Sequence, residues 1–168
     1  MIFKFLSKNF YISFLIVFFI YFLDRLSKIY VIELDKNNLR SDIFNSAYLD
    51  IVLIWNKGIA FGLFSFNESH LYNILSLIIA IIIIVLVIMS LKNKGFKRYS
   101  LLMIVGGALG NLHDRIFFNA VPDFIDFHIG NFHWFIFNVS DIFITLGVIS
   151  MIIVELIEKD NYDNDKNF

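Results

Sequence analysis

From Leu71 to Leu91 the chain carries no charged side chain and is built mostly of Ile, Leu and Val. At about 1.5 Å of rise per residue, a helix of that length spans the ~30 Å hydrocarbon core of a bilayer. A soluble domain of this size could not surround it, because small domains leave much of their surface exposed. The whole composition agrees: of 168 residues, 58% are hydrophobic and only 17% charged. Lipid can act as the apolar solvent that a protein interior of this size cannot supply.

Three further apolar segments follow the same logic. Together they predict a mainly α, integral membrane fold. Its transmembrane helices cover about 10–32, 71–91, 99–118 and 141–158. The outer segments are about 33–70 and 119–140, and the tail is expected to fray from about 161. Residues 1–168 are read as one membrane-embedded domain. The N-terminus has the basic residues and apolar run of a signal peptide. No small-residue cleavage site follows, so it is read as a retained first helix.

Cations in the short loops set the expected orientation. Lys4 and Lys8 precede the first helix, and Lys92, Lys94, Lys97 and Arg98 fill the link between the second and third. The link from about Asn119 to Ser140 has no Lys or Arg. Both termini are therefore expected inside. Trp55 and Trp134 both fall in the outer segments, as interfacial aromatics do. Tyr48 to Trp55 and Ile59 to Phe66, about a turn at Asn56-Lys57-Gly58, read as two strands. They predict a small outer-face β-sheet, a cradle, between helices one and two. The net charge of -1 offers no basic excess for nucleic acid.

Ionisable groups in membrane helices are costly and call for a reason. Asp24 and Lys28 lie one helical turn apart and can pair structurally. Asn111, Asp114 and Arg115 lie near the outer end of the third helix, Asp141 opens the fourth, and Asp123 and Asp126 precede it. All gather at one depth. Asp141 also fits a helix cap. Asp114 with Arg115 fits interfacial charges meeting headgroups, and Asp123 and Asp126 fit ordinary loop carboxylates. Gly106, Gly107 and Gly110 suit close helix packing. His128 and His133, five apart, match no strong metal signature, so no metal and no cofactor are expected.

With no cysteine and no GxSxG, two carboxylates are the best chemical equipment. Sharing a site raises one pKa, so one group is protonated and one ionised. The ionised group can activate water and the protonated one can donate to the oxyanion. From chemistry alone, Asp123, Asp126 or Asp114 could partner Asp141.

Four blocks then carry a resemblance: Asp24-Arg25-Leu26-Ser27-Lys28; Asn56-Lys57-Gly58-Ile59-Ala60-Phe61-Gly62; Gly106-Gly107-Ala108-Leu109-Gly110-Asn111-Leu112-His113-Asp114-Arg115; and Val121-Pro122-Asp123-Phe124-Ile125-Asp126-Phe127 running to Phe137-Asn138-Val139-Ser140-Asp141. The pattern closely resembles lipoprotein signal peptidase (signal peptidase II), the bacterial inner-membrane aspartyl protease family. The resemblance implies removal of the signal peptide from prolipoproteins, just before a diacylglyceryl-modified cysteine. It implies a site near the periplasmic face and contact with membrane lipids. It maps the catalytic pair onto Asp123 and Asp141. Asn56, Gly58, Asn111, Arg115 and Asn138 match positions that line the site, and Asp24 and Lys28 match supporting positions. One site per chain means that a monomer suffices. Pro122, Ser140 and His113 depart from the usual aliphatic, Ala and apolar residues without removing a required group.

Two other classes stand beside this reading. A transporter would show polar groups along a path across the bilayer, yet the second helix has no charged residue between Leu71 and Leu91. A membrane scaffold would make the carboxylates dispensable.

Overall fold

The computed structural model describes residues 8–37, 42–58 and 69–166. In chain order these form α1 (Lys8–Asn37), β1 (Asp42–Phe44), β2 (Leu49–Asn56), α2 (Ser69–Lys92), α3 (Gly95–Phe118), β3 (Val121–Ile129), β4 (Phe132–Phe137) and α4 (Val139–Lys166). All four helices are long and apolar enough to cross a membrane. The chain is a multi-pass membrane protein. α4 begins two residues before Asp141 and continues to Lys166, past the point where the sequence reading has the tail fraying.

α3 is the central helix and packs against α1, α2 and α4. Half of its apolar span is buried, 50% against 11% in each of the others. Two glycines permit this approach. A Cβ at Gly107 would come within 2.5 Å of the Ser140 carbonyl oxygen, and one at Gly110 within 2.5 Å of Asp24 Oδ2. Small residues let membrane helices meet backbone to backbone, where dispersion and polar contacts must replace a hydrophobic driving force. The opposite surfaces are apolar and outward-facing. Phe14, Phe18 and Phe22 stack along α1 with ring centroids 5.9 Å apart, and all three are exposed. In water such a stripe would be a liability; in lipid it faces its solvent.

The sheet gathers at one end of the bundle, because β1 and β2 follow α1 while β3 and β4 lie between α3 and α4. It has four antiparallel strands in the order β1-β2-β3-β4. The sequence reading placed a small sheet between the first two helices, and the observed sheet extends beyond that segment. β2 lies where its first strand was expected, but half of the described sheet comes from the link before α4. The expected strand at Ile59 to Phe66 lies outside the described residues. The hairpin of β3 and β4 turns on Gly130-Asn131, with Gly130 at φ +60 where a side chain would be strained. Gly-Asn between apolar runs is a hairpin signal. It was masked by the absence of strict alternation in Val121 to Ile129.

Pairing of β2 with β3 matches Ile54 with Asp123, Trp55 with Pro122 and Asn56 with Val121. The end of one outer segment is thereby fixed beside Asp123 in the other. Pro122 has no N–H to give, so it fits a strand position where the ladder does not need that donor.

Candidate active site

Asn138 stands between β4 and α4 and is fully buried. It is the N-cap of α4. Its Oδ1 accepts from the Asp141 backbone N–H at 3.1 Å, and the Asp141 carboxylate accepts the Asn138 backbone N–H at 3.2 Å. This is a reciprocal capping box, with Asp141 at the third helical position. The cap anticipated for Asp141 therefore exists, but Asn138 leads it. The Asn138 amide does more: its Nδ2 donates to Asp123 Oδ1 at 2.6 Å. One residue thus holds both carboxylates.

Each carboxylate has a second amide donor. Asn56 Nδ2, at the end of β2, donates to Asp123 Oδ2 at 2.8 Å. Asn111 Nδ2, on α3, donates to Asp141 Oδ1 at 2.8 Å. Asp123 is 4% exposed, whereas Asp141 is less deeply buried. Burial is the main reason that the Asp123 carboxyl is pushed up to about 6; the Asn56 and Asn138 donors oppose the rise and the Asp141 charge adds to it. Asp123 therefore changes charge near neutral pH.

The other carboxylates left open by the sequence lie elsewhere. Asp114 is fully buried between two cations. It accepts from Arg25 Nη1 at 2.6 Å, from Arg25 Nη2 at 2.8 Å and from Lys28 Nζ at 2.6 Å. Asp24 pairs with Arg25 at 2.7 Å and Lys28 at 2.9 Å. Two acids and two bases so form a charge-balanced cluster, the condition under which charges persist away from water. Asp126 Oδ2 lies 2.8 Å from His133 Nδ1 and accepts from it in the tautomer that carries the proton there.

The reading of Asp114 with Arg115 as headgroup-facing charges is overturned. Both are buried, and adjacent residues on a helix do not face one another. Arg115 turns instead toward the end of β2, donating to the Gly58 carbonyl at 3.1 Å, while Gly58 N–H donates to Asn56 Oδ1 at 2.8 Å. Arg115 and Gly58 therefore fix the side chain that reaches Asp123. Arg25 was not singled out in the sequence. The signal was charge balance: Asp24 and Asp114 need two cations, and Lys28 supplies one.

The cluster reaches the carboxylate pair along one line. Lys28 Nζ donates to Asn111 Oδ1 at 2.9 Å, and Asn111 passes its amide to Asp141. The departures also find places. His113 meets the Tyr21 hydroxyl at 2.9 Å through Nδ1. Ser140 donates its backbone N–H to Asp24 Oδ1 at 3.0 Å, but its buried hydroxyl has no partner among the described residues.

Comparison with known proteins decides the family. The family described as Signal peptidase (SPase) II matches residues 16–157. The chain belongs to the signal peptidase II family. It is a membrane peptidase of the aspartic class. Among its relatives, the lipoprotein signal peptidase of Pelagibacter ubique (strain HTCC1062) is 48% identical over 160 residues, covering 95% of this chain and 96% of the relative. That of Anaplasma phagocytophilum (strain HZ) is 46% identical over 137 residues, covering 80% and 85%. The fold is similar to a bacterial membrane enzyme solved by the in meso method at 2.3 Å resolution. The TM-score is 0.73 at 32% identity, over 89% of this chain and 90% of that one.

Proposed function

We propose that this signal peptidase II removes signal peptides from prolipoproteins by activating water between Asp123 and Asp141, and that it cuts just before a diacylglyceryl-modified cysteine. The observation that carries the reading is the shared Asn138, which holds one oxygen of each carboxylate at the junction of sheet and helix. The pair holds a single proton at working pH. The ionised member takes a proton from water as the water attacks the scissile carbonyl. The protonated member donates to the developing oxyanion. Collapse breaks the C–N bond, and the proton passes to the leaving amine.

The supporting residues act by position. Asn56 and Asn111 each hold the outer oxygen of one carboxylate, and Arg115 with Gly58 fixes Asn56. Asp24 and Lys28 fix α1 against α3 and the start of α4. The apolar sheet end, with Trp55, Phe132 and Trp134 exposed, suits a surface that receives the acyl chains and rests against lipid. Loop cations orient both termini to the cytoplasm and the sheet end to the periplasm of the bacterial inner membrane.

The test uses two synthetic substrates with the same signal sequence, one with a diacylglyceryl-modified cysteine and one with free cysteine. Mass spectrometry of the products should place the cut immediately before the modified cysteine, with the free-cysteine peptide cut far more slowly. Equal cleavage of both, or a cut elsewhere, would refute the assignment.

A further inference from the structure

The hairpin of β3 and β4 assembles a second group of polar side chains. Side chains alternate along a strand, so Asp126 and His128 occupy the face of β3 opposite to Asp123. His128 pairs across the hairpin with His133, and the two imidazoles stack with centroids 4.9 Å apart. His133 Nδ1 lies 2.8 Å from Asp126 Oδ2. One ligand-type atom from each of Asp126, His128 and His133 lies within 4.8 Å of the other two. From the neighbouring strand, Asp50 is the register partner of Asp126, and its Oδ2 lies 3.8 Å from His128 Nδ1.

Ordinary packing leaves three features unexplained. Asp126 is 6% exposed, yet its Oδ1 has no hydrogen-bond partner among the described residues. His128 is 8% exposed, and its Nδ1 likewise has none. A buried polar atom left unmatched costs roughly 1–3 kcal/mol. Moreover, Asp50 and Asp126 are like charges directly opposite in the ladder, a destabilising pairing.

A cation between these groups would resolve all three. We propose that Asp126, His128 and His133 bind a divalent transition metal, with zinc the best match, and that Asp50 supplies a fourth ligand. Two imidazoles and carboxylate oxygen form a zinc donor set. Tetrahedral ligands at about 2.1 Å stand roughly 3.4 Å apart, so the widest separation must close by roughly 1.4 Å. Side-chain rotation on a hairpin can supply that. The ion would staple β2, β3 and β4 together, three residues along the chain from Asp123. It lies on the other face of the sheet and takes no part in peptide cleavage. The spacing of His128 and His133 matches no helical metal motif, but a two-residue turn converts it into a cross-strand pair.

The test uses the full chain in detergent, stripped with a chelator and returned to chelator-free buffer. Zinc alone is titrated against a competing chromophoric chelator, and cobalt(II) alone is followed by visible absorption. The expected result is one zinc per chain, a tetrahedral cobalt band, and a higher unfolding temperature with zinc. His133 is exposed, so His133→Gln should fold, bind zinc at least tenfold more weakly and lose the cobalt band. His128→Gln, examined separately, should do the same, while Asp123→Asn should retain both signals. Zinc binding unchanged in both histidine variants, or no binding by the wild type above the detergent blank, would overturn the proposal.

Discussion

Asp24, on α1, accepts the backbone N–H of Ser140 at 3.0 Å and so ties the first helix to the first turn of the last. That N–H is one of the free donors at the N-terminus of α4, where the helix dipole favours an anion. The same carboxylate pairs with Arg25 and Lys28 and, with Asp114, balances their charge. Asp24→Ala should therefore leave the cluster with excess positive charge and cost on the order of 3–5 kcal/mol. Asp24→Asn keeps an acceptor for Ser140 and should cost less. Thermal unfolding in detergent ranks the two, and an unchanged unfolding temperature for Asp24→Ala would contradict this role.

Asn111 accepts from Lys28 and donates to Asp141. Asn111→Ala removes the donor that holds one oxygen of Asp141. A fall in kcat of roughly 10–100-fold with little change in KM is expected, equivalent to about 1.4–2.7 kcal/mol. Steady-state kinetics on a lipidated peptide measure it. A change confined to KM would assign Asn111 to substrate binding instead.

The Ser140 hydroxyl is buried without a partner among the described residues, beside the site where Gly110 would carry a Cβ. Removing an unmatched hydroxyl relieves a desolvation penalty, so Ser140→Ala should stabilise by about 1 kcal/mol. Gly110→Ala should destabilise, because its methyl group meets Asp24 as well as Ser140. Combining the two changes should recover part of the loss, since the sites touch. Additive unfolding shifts would show that Ser140 is not what Gly110 must avoid.

Burial lifts the Asp123 carboxyl to about 6. The rate should therefore fall as pH rises through about 6, where the pair loses its single proton. Stability should move the same way. The folded chain binds this proton more tightly than the unfolded chain, so Asp123 favours the folded state below about pH 4. That contribution is lost as pH rises through about 6, on the order of 3 kcal/mol at most. A pH–rate profile flat between 5 and 7 would contradict the rate expectation.

Helices and their membrane character were legible because the bilayer fixes the length of an apolar run, as in Leu71 to Leu91. The convergence of Asp24, Asn111, Asp114, Asp123 and Asp141 at one end was legible because charges in lipid require partners. The partners themselves were not. Arg25 and Arg115 each follow an aspartate, and only helical geometry sends Arg25 to Asp114 and Arg115 to Gly58. The pairing of β2 with β3 joins segments separated by two helices, and local pattern contains no register for it. The hairpin at Gly130-Asn131 was written in its turn residues, but Val121 to Phe124 are buried in succession, so the alternation that marks a half-exposed strand is missing.

The most direct test is single-turnover cleavage of a diacylglyceryl-modified prolipoprotein by Asp123→Asn, Asp141→Asn and the double variant, each normalised to folded protein. If the two carboxylates act as one water-activating unit, each single variant loses at least ~100-fold and the double variant loses little more. Near wild-type cleavage by either folded single variant would contradict the account.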